Sequence, residues 1–256
     1  MDEFLKSILI VCPLIFLAGF VDSIAGGGGI ISLPAYLMAG IPAHVAAGTN
    51  KVVNGTGNVI SLIKYLRTGK IRLRPTLIAA AFALVGSSIG TKLATLIPET
   101  TLKTIMLVAL PCVAVFLVLK KDLGSEDQPE VTLPLWRELA AGALIGLLIG
   151  CYDGLVGPGT GTFMLMSFAG LLSMDLLSAA GSARLCNFAS CTASAVVWIL
   201  NGSIYWKLVL PAALCSLLGN YLGAQFAIRG GSKKIRGMMF VVLALLFAKM
   251  LYDVFA

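Results

Sequence analysis

Two short polar stretches hold the side chains of this sequence best suited to chemistry. Ala47-Gly48-Thr49-Asn50-Lys51-Val52-Val53-Asn54 recurs about 133 positions later as Ala180-Gly181-Ser182-Ala183-Arg184-Leu185-Cys186-Asn187, so in each a cation and an amide stand three residues apart. Both stretches interrupt apolar sequence. A charge at the centre of a bilayer costs roughly 2.5 to 3.5 kcal/mol on insertion scales, so two matched cations there call for a reason. Binding an anion would supply it. Arg184 offers a planar fork to two oxygens and Lys51 a point charge, a combination suited to a sulfonate, phosphate or carboxylate. Lys51, Asn54, Asn58 and Ser61 follow at spacings of 3, 4 and 3 and share one helix face, as do Arg184, Asn187 and Ser194. At 1.5 Å per residue Lys51 lies about 20 Å from Lys64 at the helix end, too deep to reach that surface comfortably. The alternative is that its stem carries the amine to the opposite surface.

A second duplicated feature precedes each polar stretch. Asp22 with Gly26-Gly27-Gly28-Gly29 corresponds to Asp153 with Gly157-Pro158-Gly159-Thr160-Gly161. A glycine-rich break followed by a helix presents unpaired N–H groups and the positive end of a helix dipole, so two such breaks would face one central anion. The plainer alternative is a turn or close helix packing. The candidate substrate-binding residues are therefore Lys51, Asn54, Arg184, Asn187, Gly28, Gly29, Gly159, Thr160, Thr49 and Ser182. Asp22 and Asp153 admit two roles: capping the next turn or pairing with the cations, and proton coupling. His44, the single histidine, has no counterpart in the other half and is read as structural.

The elements that must position these residues follow from hydropathy. With 58% apolar residues, 12% charged residues and a mean hydropathy of +0.95, the 256-residue chain is not a soluble domain with a polar shell. Apolar stretches run roughly over 4 to 21, 28 to 39, 43 to 63, 75 to 97, 102 to 119, 138 to 152, 161 to 172, 177 to 200, 208 to 228 and 237 to 252. Several approach the ~20 residues that span a bilayer, and others are too short. Strict alternation of the barrel kind is absent, so the spanning stretches are helices, the first of them a retained helix rather than a signal peptide. The net charge of +7 sits at helix ends, which points to membrane topology and not to nucleic acid. The six cysteines form no Cys-x-x-Cys and none is duplicated, which argues against a thiol relay. No cofactor or metal is implied.

The loop with Lys64, Arg67, Lys70, Arg72 and Arg74 has a counterpart near 201 to 207 with Lys207 alone, whereas the next junction reverses this bias, Lys103 against Arg229, Lys233, Lys234 and Arg236. By the positive-inside rule, equivalent loops face opposite sides. The expected fold is an all-α polytopic membrane protein of two inverted-topology repeats, with broken or re-entrant helices meeting near the midplane. Its divisions are a first transmembrane repeat at 1–119, a cytoplasmic linker at 120–135 and a second repeat at 136–256, with 8 to 10 membrane elements and both termini outside the cytoplasm.

The Gly-Phe-Val-Asp-Ser-Ile-Ala-Gly-Gly-Gly-Gly run at 19 to 29, Thr-Asn-Lys-x-x-Asn at 49 to 54 and Gly-Pro-Gly-Thr-Gly at 157 to 161 together resemble the sulfite exporter TauE/SafE family, over essentially the full length. The resemblance implies a plasma-membrane permease, an inner-membrane one in a Gram-negative cell, moving small sulfur-containing anions such as sulfite or organosulfonates. It places Lys51, Asn54 and Asn187 in the core; Arg184 stands where the family usually has lysine. The expected partners are the small anion and the lipid bilayer. Export by alternating access is the leading reading. Proton-coupled uptake of an organic anion and a non-transporting membrane assembly protein are the alternatives.

Overall fold

In an apolar medium each backbone N–H and C=O must find a partner within its own segment, and the described residues are accordingly helices and turns only. The structure, a computed structural model, describes residues 3–105 and 134–255, with side chains over 4–105 and 134–238. The linker, apart from its last two residues, and Cys112 lie outside the described residues.

Helix α1, Glu3–Ala25, ends because Gly26 and Gly27 take φ angles of 79° and 87°, a left-handed region that costs glycine little. Helix α2, Gly29–Met38, has 10 residues and a length of about 15 Å, half of a ~30 Å hydrocarbon core. Helices α3, Ala43–Leu66, and α4, Leu73–Leu96, have 24 residues each, and residues 99–105 open a further helix. Helix α5 covers Leu135–Leu155 and contains a π turn at Ile145–Ile149. The second break has φ angles of 91° at Gly157 and 79° at Gly159. Beyond it lie the 12-residue α6, Thr160–Leu171, then α7, Leu176–Leu200, and α8, Trp206–Phe255, which kinks at Gly231.

Five helical segments among the described residues are long and apolar enough to cross a membrane: Phe4–Ala25, Leu73–Leu96, Leu135–Leu155, Leu176–Leu200 and Trp206–Met238. Helix α3 has the length, but its buried row of Asn50, Lys51, Asn58 and Ser61 lowers its mean hydropathy.

The two halves interlock. Helix α1 packs on α8 and α4 on α5, while α3 and α7 lie side by side at the centre, α3 against α8 and α7 against α4. Each of these main contacts between halves has a counterpart with the halves exchanged, α1–α8 with α4–α5 and α3–α8 with α4–α7. Glycine makes the close approaches possible: Gly219 meets the Phe16 main chain on α1, and Gly86 meets the Leu147 main chain on α5. Along α5, Gly142, Gly146, Gly150 and Gly154 touch Pro75, Ala79, Ala83 and Ser87 of α4 in turn. A four-residue step drifts about 40° around an ordinary α-helix, and the wider π turn inside this run offsets part of that drift.

Candidate functional site

The site begins at the two helix breaks, which cross each other. A Cβ on Gly26 would overlap the backbone at Gly161 and Thr162, and one on Gly29 would lie 3.2 Å from Pro158 Cα. Only residues without side chains let the two backbones approach this closely.

Each break is pinned by its aspartate or a neighbour. Asp22 Oδ1 accepts from Gly28 N at 3.0 Å, and its main-chain oxygen accepts from Gly26 N at 2.8 Å. The Gly28 N–H is therefore already engaged. At the second break Tyr152 donates to Pro158 O at 2.6 Å, and Thr160 Oγ1 donates to Gly157 O at 2.7 Å.

The cations then reach across. Lys51 Nζ lies 2.7 Å from Asp153 Oδ2 and donates to Asp153 O at 2.6 Å. Arg184 Nη1 donates to Asp22 Oδ2 and, at 3.1 Å, to Asn58 Oδ1. Ser190 donates to the Asp153 carboxylate as well. Each half's cation thus holds the other half's carboxylate, and all four residues are at most 8% exposed. The cap and the ion pair foreseen for Asp22 are both present; Asp153 makes the ion pair.

Eight of the expected residues surround one cavity: Gly29, Lys51, Asn54, Gly159, Thr160, Asn187, Asp22 and Asp153. Its volume is about 20 Å³, room for about one water molecule. A polyatomic anion enters only if the surrounding elements part.

Four expected residues stand back from it. Arg184 is shielded by the start of α6, where a Cβ on Gly161 would lie 2.5 Å from Arg184 Nη2. Gly28 packs on Asp22 and Ala18. Thr49 Oγ1 accepts from Tyr205 N at 2.9 Å, and Ser182 Oγ from Thr76 Oγ1 at 2.9 Å. Two positions along a helix turn a side chain about 200°, so residues two before Lys51 and Arg184 face away from them. Asn50, Cys191 and Trp198 line the cavity without having been singled out. For Asn50 adjacency to Lys51 was a signal; an indole within apolar sequence gives none.

The model of the family described as "Sulfite exporter TauE/SafE" matches residues 11–250. The chain belongs to the sulfite exporter TauE/SafE family. Within it, the chain is 36% identical over 238 residues to the probable membrane transporter protein ORF9 of Sinorhizobium sp, covering 93% of this chain and 90% of that protein. It is 34% identical over 238 residues to a probable membrane transporter protein of Haemophilus influenzae, covering 93% and 92%. It is 32% identical over 259 residues to the probable membrane transporter protein YfcA of Escherichia coli K12, covering 98% and 95%. This TauE/SafE chain, helical apart from turns among its described residues, is thus a multi-pass membrane protein of a transporter family, a class that is generally not enzymatic.

Proposed function

We propose that this protein is a permease for small sulfur-containing anions, such as sulfite or organosulfonates, which it exports across the plasma membrane by alternating access. The observation that carries the reading is a buried lysine, Lys51, lining a cavity where two glycine breaks and residues of both halves meet. Asn54, Asn187, Thr160 and the backbone of Gly29 and Gly159 complete the anion's surroundings. Arg184 sets the charge of Asp22 on the far side of the break.

In this reading the halves are inverted repeats, α2 and α6 are re-entrant, and the halves rock about the crossed breaks. The exchange-symmetric contacts of α1 with α8 and α4 with α5 support it. A monoanion leaving a negative-inside cell gains about 2.3 kcal/mol per 100 mV, enough to drive export without a coupling ion.

One feature favours proton coupling as a second reading. An anion that takes Lys51 displaces the Asp153 carboxylate, and a buried carboxylate without its cation is expensive unless a proton neutralises it. Asp153 and, through Arg184, Asp22 are then the proton sites.

Efflux from proteoliposomes loaded with radiolabelled sulfite, sulfoacetate or thiosulfate tests the proposal. A permease empties them faster than protein-free vesicles, and faster still when the inside is made negative. Identical leak from both kinds of vesicle, for every anion, would leave the assembly-protein alternative standing.

A further inference from the structure

Seven buried side-chain polar atoms lack a hydrogen-bond partner among the described residues, and only two belong to residues that line the central cavity: Trp198 Nε1 and Asn50 Oδ1. Trp198 is 1% exposed, and a buried indole N–H ordinarily finds an acceptor. The indole is a donor only, so whatever satisfies it is an acceptor.

Its placement follows from the helix repeat. Asn187, Cys191 and Trp198, at intervals of 4 and 7, lie on one face of α7, and all three line the cavity. Side chains on a helix lean toward its N-terminus, which carries the indole back toward Asn187. Small residues make room for the ring: a Cβ on Gly48 would lie 3.1 Å from Trp198 Cβ, and Ala43 and Ala47 pack in the same cluster. The His44 ring meets the indole edge-on, with centroids 5.8 Å apart at 67°.

We infer that the Trp198 indole N–H is a ligand for an oxygen of the transported anion, acting together with the Lys51 ammonium; the inference rests on the anion-permease reading above. Asn50, one residue before Lys51, assists. Its amide presents Oδ1 in one orientation and the Nδ2 donor in the other, so it adapts to the oxygen that arrives. The closed cavity, about 20 Å³, is too small for the anion, so its oxygen reaches the indole N–H once the surrounding elements part.

Trp198→Phe keeps an aromatic ring beside His44 and removes only the N–H and part of the ring. The purified full-length protein is titrated calorimetrically with sulfite, sulfoacetate and thiosulfate, beside Lys51→Gln. The inference predicts three- to tenfold weaker binding in Trp198→Phe, roughly the worth of one neutral hydrogen bond, with the anion-free melting curve close to wild type. A spectroscopic arm needs no change at Trp198. Trp136 and Trp206, both exposed, are replaced by phenylalanine, leaving Trp198 as the sole tryptophan, excited at a wavelength the tyrosines do not absorb. Its emission then shifts on adding anion, with the calorimetric midpoint.

Wild-type affinity in Trp198→Phe, with binding still weakened in Lys51→Gln, overturns the indole assignment and leaves the permease reading intact. If Trp198→Phe fails to fold, emission unchanged at saturating anion overturns the assignment equally. Wild-type protein that binds none of the three anions removes the permease reading and this inference with it.

Discussion

Lys51 on α3 and Asp153 at the end of α5 form a buried ion pair at 2.7 Å that joins the two halves of the chain. Arg184 and Asp22 make the exchanged pair from α7 to α1. Both pairs cost desolvation, which hydrogen bonds from Ser190, Asn58 as acceptor, and the Gly28 N–H offset in part. Both members of the Lys51 pair line the cavity, whereas the Arg184 pair reaches it only through Asp22, the guanidinium staying behind α6.

Breaking a buried pair by neutralising one partner typically costs about 3–5 kcal/mol, because the other charge is left uncompensated. Lys51→Gln and Asp153→Asn should each lower the melting midpoint in detergent, and the double variant should regain most of the loss. If Lys51 serves the anion as well as Asp153, the double variant melts like wild type yet still binds anion poorly. Recovery of both properties would assign the pair to folding alone.

The crossed breaks predict that Gly26→Ala is more damaging than an ordinary helix glycine substitution. The new Cβ sits at a positive φ and against the backbone of Gly161 and Thr162, which cannot swing aside as a side-chain tip would. Gly55→Ala, whose Cβ would meet only Cys191 at 3.8 Å, is the control. Thermal melting of both should show a large loss for Gly26→Ala and little for Gly55→Ala; equal behaviour contradicts the tight crossing.

The reversed cation bias predicts opposite sides for the α3–α4 and α7–α8 loops. In a cysteine-free background, Lys70→Cys should be protected from a membrane-impermeant thiol reagent in intact cells and Asn201→Cys labelled by it. Both positions are exposed. Labelling of both from outside would make the halves parallel.

Glu99 gives a pH dependence of defined sign. Burial alone would raise its carboxyl, but the His44 ring and the N–H groups of Ala43 and His44 outweigh this and hold it below the ordinary 4.5. A carboxyl depressed by folding contributes stability that is fully present above its unfolded value and is lost as pH falls through the lower folded one. Melting curves taken from neutral pH to below about pH 4 should therefore decline, and Glu99→Gln should lower the neutral-pH midpoint and flatten the decline. A parallel decline in the variant assigns the acid sensitivity to other carboxylates.

Much of the site was legible because it is written twice. Recurrence marked Lys51, Arg184 and the glycine breaks, and helical spacing put Asn54 beside Lys51 and Asn187 beside Arg184. The exchange of partners was not legible: two cations and two carboxylates of like chemistry permit either pairing, and the choice depends on how α3 and α7 pack. Thr49 and Ser182 entered through the duplicated motif, although two helix positions turn them away from the cations. Trp198 gave no signal, since its indole belongs to apolar sequence and shows its unmatched N–H only in three dimensions. The short α2 and α6 were readable from length, as was their break from glycine; the π turn of α5 was not, since no residue type encodes it locally.

The central claim is that Lys51 binds the transported anion, and affinity in the Lys51→Gln protein tests it most directly. Calorimetric titration with sulfite, sulfoacetate and thiosulfate, with a melting curve beside each titration, should show binding to wild type that weakens about ten- to a hundredfold in the variant, the loss of one charge-assisted contact of roughly 1.5–3 kcal/mol. Arg184→Gln, which acts through Asp22, should lose less. Wild-type affinity in a folded Lys51→Gln protein would contradict the account.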